Sequence, residues 1–206
     1  TTSSTGEGRV SPHRGTGPGL RPSADPSIVV GFSRRVARGL TARPVVAVAG
    51  CEPCGVELAY RTTIALGRTA IRAVDLRVRL VDAHHVPRTG PAILVANHVS
   101  FLDFLLLGLA ARPAGRYPRF LARHEVWHNP VARPFMTAMR HVPVDRAAPA
   151  AAYLDARVLL KAGETVAVFP EAGISTSYTV RALMPGAAAL AAETGAPLVP
   201  VALWGG

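Results

Sequence analysis

Residues 92–96, Ala-Ile-Leu-Val-Ala, are the stretch that most limits what this chain can fold into. Five apolar residues in a row fit a strand buried on both faces and are too few for a helix. Asn97 and His98 break the run at a polar corner, and Ser100 and Asp103 then precede Phe104-Leu105-Leu106-Leu107. A Ser-x-x-Asp pair directly before an apolar run predicts a helix N-terminus of the capping-box kind. A strand that turns straight into a helix is the unit of layered α/β folds, and ligands gather at the carboxyl ends of such strands.

The corner carries one histidine and one carboxylate, His98 and Asp103, five positions apart. In a continuous helix that spacing would put them about 140° apart around the axis, so they meet only if the chain turns between them. A histidine held by a carboxylate is fixed in one tautomer, and its imidazolium is stabilised when it takes a proton. The plainer reading is that Asp103 caps the helix and His98 is an ordinary loop histidine.

The remaining pattern alternates strands with helices. Residues 1–55 are read as a poorly ordered N-terminal segment, because residues 1–27 are Thr, Ser, Gly, Pro and Arg with almost no apolar content. Residues 56–206 form the domain. Within the leading segment, Ser33-Arg34-Arg35 and Val48-Ala49-Gly50-Cys51 look like export and lipoprotein signals, but the apolar stretch between them is too short for a signal region. Cys51 and Cys54 form a single Cys-x-x-Cys without a second pair, which reads as two incidental thiols. Residues 56–75 are predicted helical, with Arg61, Arg68 and Arg72 lining one face; the element either packs on the domain or rests on anionic headgroups. Strands are predicted at 76–81, 120–122, 142–144, 165–169 and 198–203, and helices from Ser100 to Arg112, after Asn129-Pro130, from Ala150 to Lys161 and from Ala187 to Glu193. The expected architecture is an α/β domain with a central, mostly parallel sheet flanked by helices, its C-terminal part missing.

The formal net charge of +10 calls for an anionic partner: nucleic acid, a membrane surface or a phosphate-bearing substrate. Aromatic residues make up only 6% of the chain and do not interleave with the arginines, which argues against nucleic acid bound by base stacking. No stretch approaches the roughly 18 apolar residues of a membrane-spanning helix. No two carboxylates or histidines stand at metal-ligand spacing on one element, so no metal is expected.

Asn97-His98-Val99-Ser100-Phe101-Leu102-Asp103 resembles the Asn-His-x-x-x-x-Asp block of the 1-acylglycerol-3-phosphate acyltransferases, within the broader glycerolipid acyltransferase family. Three further blocks follow in that family's order: Val142-Pro143-Val144-Asp145-Arg146, Phe169-Pro170-Glu171 and Val199-Pro200-Val201-Ala202-Leu203. The resemblance implies that His98 is the general base and that Asp103 orients it. It also implies acceptor-binding positions at Asn97, Arg146, Glu171 and Gly173, with Arg123 where the family often carries a lysine near the acceptor phosphate. Glu171 either contacts the acceptor or braces its loop, and the alternative for Arg146 is a surface ion pair with Asp145 or Glu171. The substrates implied are a lysophospholipid and an acyl thioester of CoA or acyl carrier protein, with no further cofactor. The place of action implied is peripheral, on the cytoplasmic face of an anionic membrane; oligomeric state stays open.

The chain departs from the pattern after Phe-Pro-Glu. The family's Gly-Thr-Arg is here Ala172, Gly173 and Ile174, so one cation is absent. Either Arg181 supplies it or the acceptor carries a different headgroup. The competing class is a non-catalytic module that binds anionic membranes or nucleic acid through its arginines.

Overall fold

In the computed structural model, which describes residues 27–32, 53–175, 177 and 179–204, the run at 92–96 is the middle strand of a seven-stranded sheet. The strands are β1 (Ser27–Phe32), β2 (Arg77–Val81), β3 (Ala92–Ala96), β4 (Arg119–Arg123), β5 (Val142–Val144), β6 (Thr165–Val168) and β7 (Leu198–Trp204), in the order β2-β1-β7-β3-β6-β4-β5. From β7 to β5 every neighbouring pair is parallel. β1 pairs antiparallel with β7 and parallel with β2. Parallel neighbours need crossover connections, and the helices that supply them cover both faces.

The helices are α1 (Pro53–Ala73), α2 (Asp103–Ala111), α3 (Ala132–Ala138), α4 (Pro149–Lys161) and α5 (Gly186–Thr194). Because side chains alternate along a strand, β3 feeds two cores. Leu94 and Ala96 join Leu105, Leu106, Leu107 and Phe120 on the α2 face, while Ile93 joins Ala156, Leu160 and Leu190 on the α4–α5 face. α2 carries apolar residues nearly all the way round, as a helix sandwiched in a core must. α1 crosses it at Gly67, where an added methyl group would lie 2.5 Å from a Leu105 methyl carbon. Only a residue without a Cβ allows that approach.

Most predicted elements stand within a few residues of their expected places. Two turn signals act as read: Asn129 accepts the Val131 and Ala132 N–H groups ahead of α3, and Gly163 follows α4 at φ 82°. The leading segment needs a correction. Ser27–Phe32 falls within the residues expected to be poorly ordered, yet it forms β1 between β2 and β7, with Val30 fully buried. The β-branched triplet Ile28-Val29-Val30 is the signal, and its disorder-prone surroundings hid it. α1 also begins at Pro53, earlier than expected. The export-like motifs and Cys51 lie outside the described residues. Along α1, Arg61 faces Glu57 at 3.9 Å, whereas Arg68 and Arg72 border a groove against β2. The three arginines are therefore not one uniform row.

Candidate active site

The corner between β3 and α2 is clamped from four sides. Asn97 donates through Nδ2 to the Leu203 carbonyl at 2.9 Å and accepts the Leu203 N–H through Oδ1 at 2.7 Å, extending the β3–β7 ladder by a side chain. The structure gives Asn97 this bracing task. The His98 N–H donates to Glu171 Oε1 at 3.0 Å, and the His98 carbonyl accepts the Ser175 N–H at 2.7 Å. Glu171 is buried, and its second oxygen accepts the Arg181 N–H at 3.0 Å. One carboxylate thus ties the β3 corner to the loop after β6, which is a brace.

Asp103 is 1% exposed and receives three donors on Oδ2. They are the Val99 N–H at 2.7 Å, the Ser100 N–H at 2.8 Å and His98 Nδ1 at 2.8 Å. The bond from Ser100 is the carboxylate half of the expected capping box, while the Ser100 hydroxyl accepts from Leu102 instead. The same carboxylate, at the first position of α2, therefore fastens the turn that leads into the helix and holds the histidine. An ionised carboxylate only accepts, so Nδ1 of neutral His98 carries the hydrogen and Nε2 carries the free lone pair. The side chain of His98 remains 21% accessible, and Nε2 has no partner among the described residues. That is the arrangement of a general base open to a ligand.

One contact escaped the sequence reading. Phe169 stacks on the imidazole of His98 at 4.2 Å with 18° between the planes. Phe120 stacks behind Phe169 at 6.1 Å, and His141 meets Phe120 edge-on at 5.3 Å. An aromatic face against the ring fixes its rotation about the Asp103 bond. The available signal was the position of Phe169 in the Phe-Pro-Glu block at the end of β6.

Cations gather beside this corner. A methyl group on Gly173 would lie 3.3 Å from an Arg181 Nη and 4.0 Å from an Arg146 Nη, so both guanidiniums converge on that glycine. Arg146 also donates to the Ala172 carbonyl at 2.6 Å, which replaces the surface ion pair considered for it. Ala172 is held at φ 54°, a left-handed conformation at the position where the related motif has glycine. Arg123 ends β4, exposed, with Nη2 3.7 Å from Glu125. The carboxyl of Glu125 is held low by its own backbone N–H and by Arg123, His124 and Arg146, which puts Arg123 and Arg146 on the same edge. Among the described residues no group of three or more His, Cys, Asp or Glu could hold a metal ion.

The carboxyl edge of a parallel sheet thus carries a carboxylate-held histidine with two guanidiniums alongside, in an α/β domain. The chain belongs to the Acyltransferase family, whose model matches residues 77–204. It is 34% identical over 119 residues to the chloroplastic 1-acyl-sn-glycerol-3-phosphate acyltransferase of Brassica napus, covering 56% of this chain and 33% of that protein. It is 28% identical over 131 residues to human 1-acyl-sn-glycerol-3-phosphate acyltransferase alpha, covering 62% and 46%. The fold matches the crystal structure of the 1-acyl-sn-glycerophosphate acyltransferase PlsC from Thermotoga maritima with a TM-score of 0.59. That match has 19% identity and covers 77% of this chain and 73% of that one. The chain spans about a third of the length of the first curated relatives it matches.

Proposed function

We propose that this domain transfers an acyl group from a thioester, of CoA or of acyl carrier protein, to the free hydroxyl of 1-acylglycerol-3-phosphate, forming phosphatidate for phospholipid synthesis. The observation that carries the reading is the 2.8 Å bond from His98 Nδ1 to buried Asp103, which leaves Nε2 open. Nε2 takes the proton of the acceptor hydroxyl as its oxygen attacks the thioester carbonyl. The C–S bond then breaks, and the departing thiolate receives the proton from the imidazolium. Both substrates react directly, so no serine or cysteine is needed in the protein.

Arg146 and Arg181, meeting at Gly173, suit an acceptor with a terminal phosphate, because a single guanidinium matches a dianion poorly. Arg123 on the same edge adds to the field. The domain acts peripherally, on the cytoplasmic face of an anionic membrane. Phe101, Leu102 and Phe104, exposed just after His98, fit a lipid surface at the mouth of the site. No helix among the described residues is long and apolar enough to cross a membrane.

The test is an acceptor panel with one thioester donor. Lysophosphatidate is consumed best, and Arg146→Ala and Arg181→Ala each raise its KM by about ten- to a hundredfold, far more than that of the donor. The reading fails if lysophosphatidate is inert while a lysolipid without a terminal phosphate is acylated well.

A further inference from the structure

A groove of about 510 Å³ lies between α1, β2 and the end of α2, and it shares no residue with the site around His98. Its floor is apolar: Leu76 just before β2 and Val78 and Leu80 along it, with Leu109 closing one end. Leu109 is six residues beyond Asp103 along α2, about 9 Å of helix rise. Three arginines rim the groove: Arg68 and Arg72, one helical turn apart on α1, and Arg112 at the end of α2.

Like charges at i and i+4 repel, and a third cation facing them adds to the cost. Their side chains make no hydrogen bond or ion pair among the described residues. Helix dipoles favour cations at the last turns, which accounts for Arg72 and Arg112. They do not account for Arg68, nor for three guanidiniums closing over an apolar floor. A free inorganic anion would answer the charge and leave the floor wet. An apolar ligand would leave the charges unanswered. A molecule with a phosphate at one end and an acyl chain at the other answers both.

We propose that this groove binds one anionic phospholipid of the bilayer, its phosphate on Arg68, Arg72 and Arg112 and an acyl chain along Leu76, Val78 and Leu80. The volume falls in the range of a specific small-molecule pocket, about 300–1,000 Å³. The site is distinct from the acceptor site proposed above and does not depend on the acyl-transfer reading.

The probe is dihexanoyl phosphatidylglycerol below its micelle concentration, titrated calorimetrically into the whole chain. Its phosphodiester lacks the terminal phosphate that the His98 site is built to take. Expected is saturable binding of one molecule per chain, weakened at least about tenfold in Arg68→Gln/Arg72→Gln/Arg112→Gln. Leu80→Asn, at a half-exposed position, weakens it several-fold through the floor alone. His98→Ala leaves it unchanged, as does the charge-matched control Arg88→Gln/Arg133→Gln/Arg140→Gln. Dihexanoyl phosphatidylcholine, whose headgroup has no net charge, and inorganic phosphate bind far more weakly. The proposal is overturned if phosphatidylcholine or phosphate binds as well as phosphatidylglycerol, or if the groove variants bind like the parent. It is equally overturned if polyglutamate takes the site with the same arginine dependence, which would make it a surface for an acidic protein.

Discussion

Two histidines stand at the two ends of one aromatic column, His98–Phe169–Phe120–His141, and the protein makes opposite things of them. His98 faces a buried carboxylate through Nδ1, and its side chain stays 21% accessible with Nε2 unpartnered among the described residues. His141 is buried, its Nδ1 accepts the Phe120 N–H at 3.2 Å, and Arg119 is its charged neighbour. Burial and then the Arg119 guanidinium push its pKa down to about 3, so at neutral pH it is a fixed neutral wedge. Arg119 is itself held by the Met139 carbonyl, by Glu164 and over the ring of Tyr60. The residue type does not make a base. A carboxylate on one nitrogen and solvent at the other make one, and a cation with no route to water unmakes it.

The largest expected effect comes from removing the feature that sets the two apart. Asp103→Asn takes the negative charge from His98 and lowers turnover by about 10²–10⁴-fold. Steady-state thioester assays read this directly, and circular dichroism checks that α2 survives the loss of that charge. If turnover fell only a few-fold, the carboxylate would brace the turn before α2 and nothing more.

The second effect concerns stability against acid. Folded His141 stays neutral down to about pH 3, whereas in the unfolded chain it titrates near 6.5. The unfolded state therefore binds more protons between those values. Stability is full above about pH 6.5 and is lost as pH falls toward 3, by up to about 1.4 kcal/mol per unit from this group. Urea titrations of the parent and of His141→Asn at several pH values should show that slope disappear in the variant. An unchanged slope would place the acid sensitivity elsewhere.

At neutral pH, His141→Leu strands the buried Phe120 N–H and should cost about 1–3 kcal/mol, with turnover per folded molecule within a few-fold of the parent. That outcome would sharpen the comparison, since it removes one histidine's stability without touching the other's chemistry. A loss of turnover as large as that in Asp103→Asn would mean that the column couples the two rings.

The smallest effect tests the loop that brings Arg146 to the site. Ala172 sits at φ 54°, where an L-residue pays a steric cost that glycine does not. Ala172→Gly relieves the clash, and about 1 kcal/mol of added stability, read as a raised Tm, is expected. A lowered Tm would mean that the freedom gained by the unfolded chain outweighs the clash.

The corner was legible because local rules converge there: a run that only a strand can use, a polar break, and a carboxylate at a helix start. His98 and Asp103 could be paired before any coordinates, since only a turn at that point lets them meet. The bracing bonds of Asn97 were not legible, and for Glu171 a brace was one of two roles left open. Both depend on partners far along the chain, Leu203 and Arg181, which sequence spacing does not reveal. The same holds for the stacking of Phe169 on His98. β1 was missed for a different reason, because its short β-branched triplet is held by pairing with β7 and β2 and by burial of Val30 in the core, all long-range. Arg181 was one of two answers to the cation missing after Phe-Pro-Glu, and that its guanidinium meets that of Arg146 at Gly173 could come only from the fold.

The claim on which the account rests is that Nε2 of His98 removes the acceptor's proton. The direct measurement is thioester cleavage by His98→Ala beside the parent, with lysophosphatidate as acceptor and the melting temperature of each protein recorded. The account predicts a loss of at least about a hundredfold in turnover. The melting temperature should stay close to the parent's, because the side chain lies at a polar, partly open corner and leaves no large core cavity. Turnover within a few-fold of the parent would contradict it.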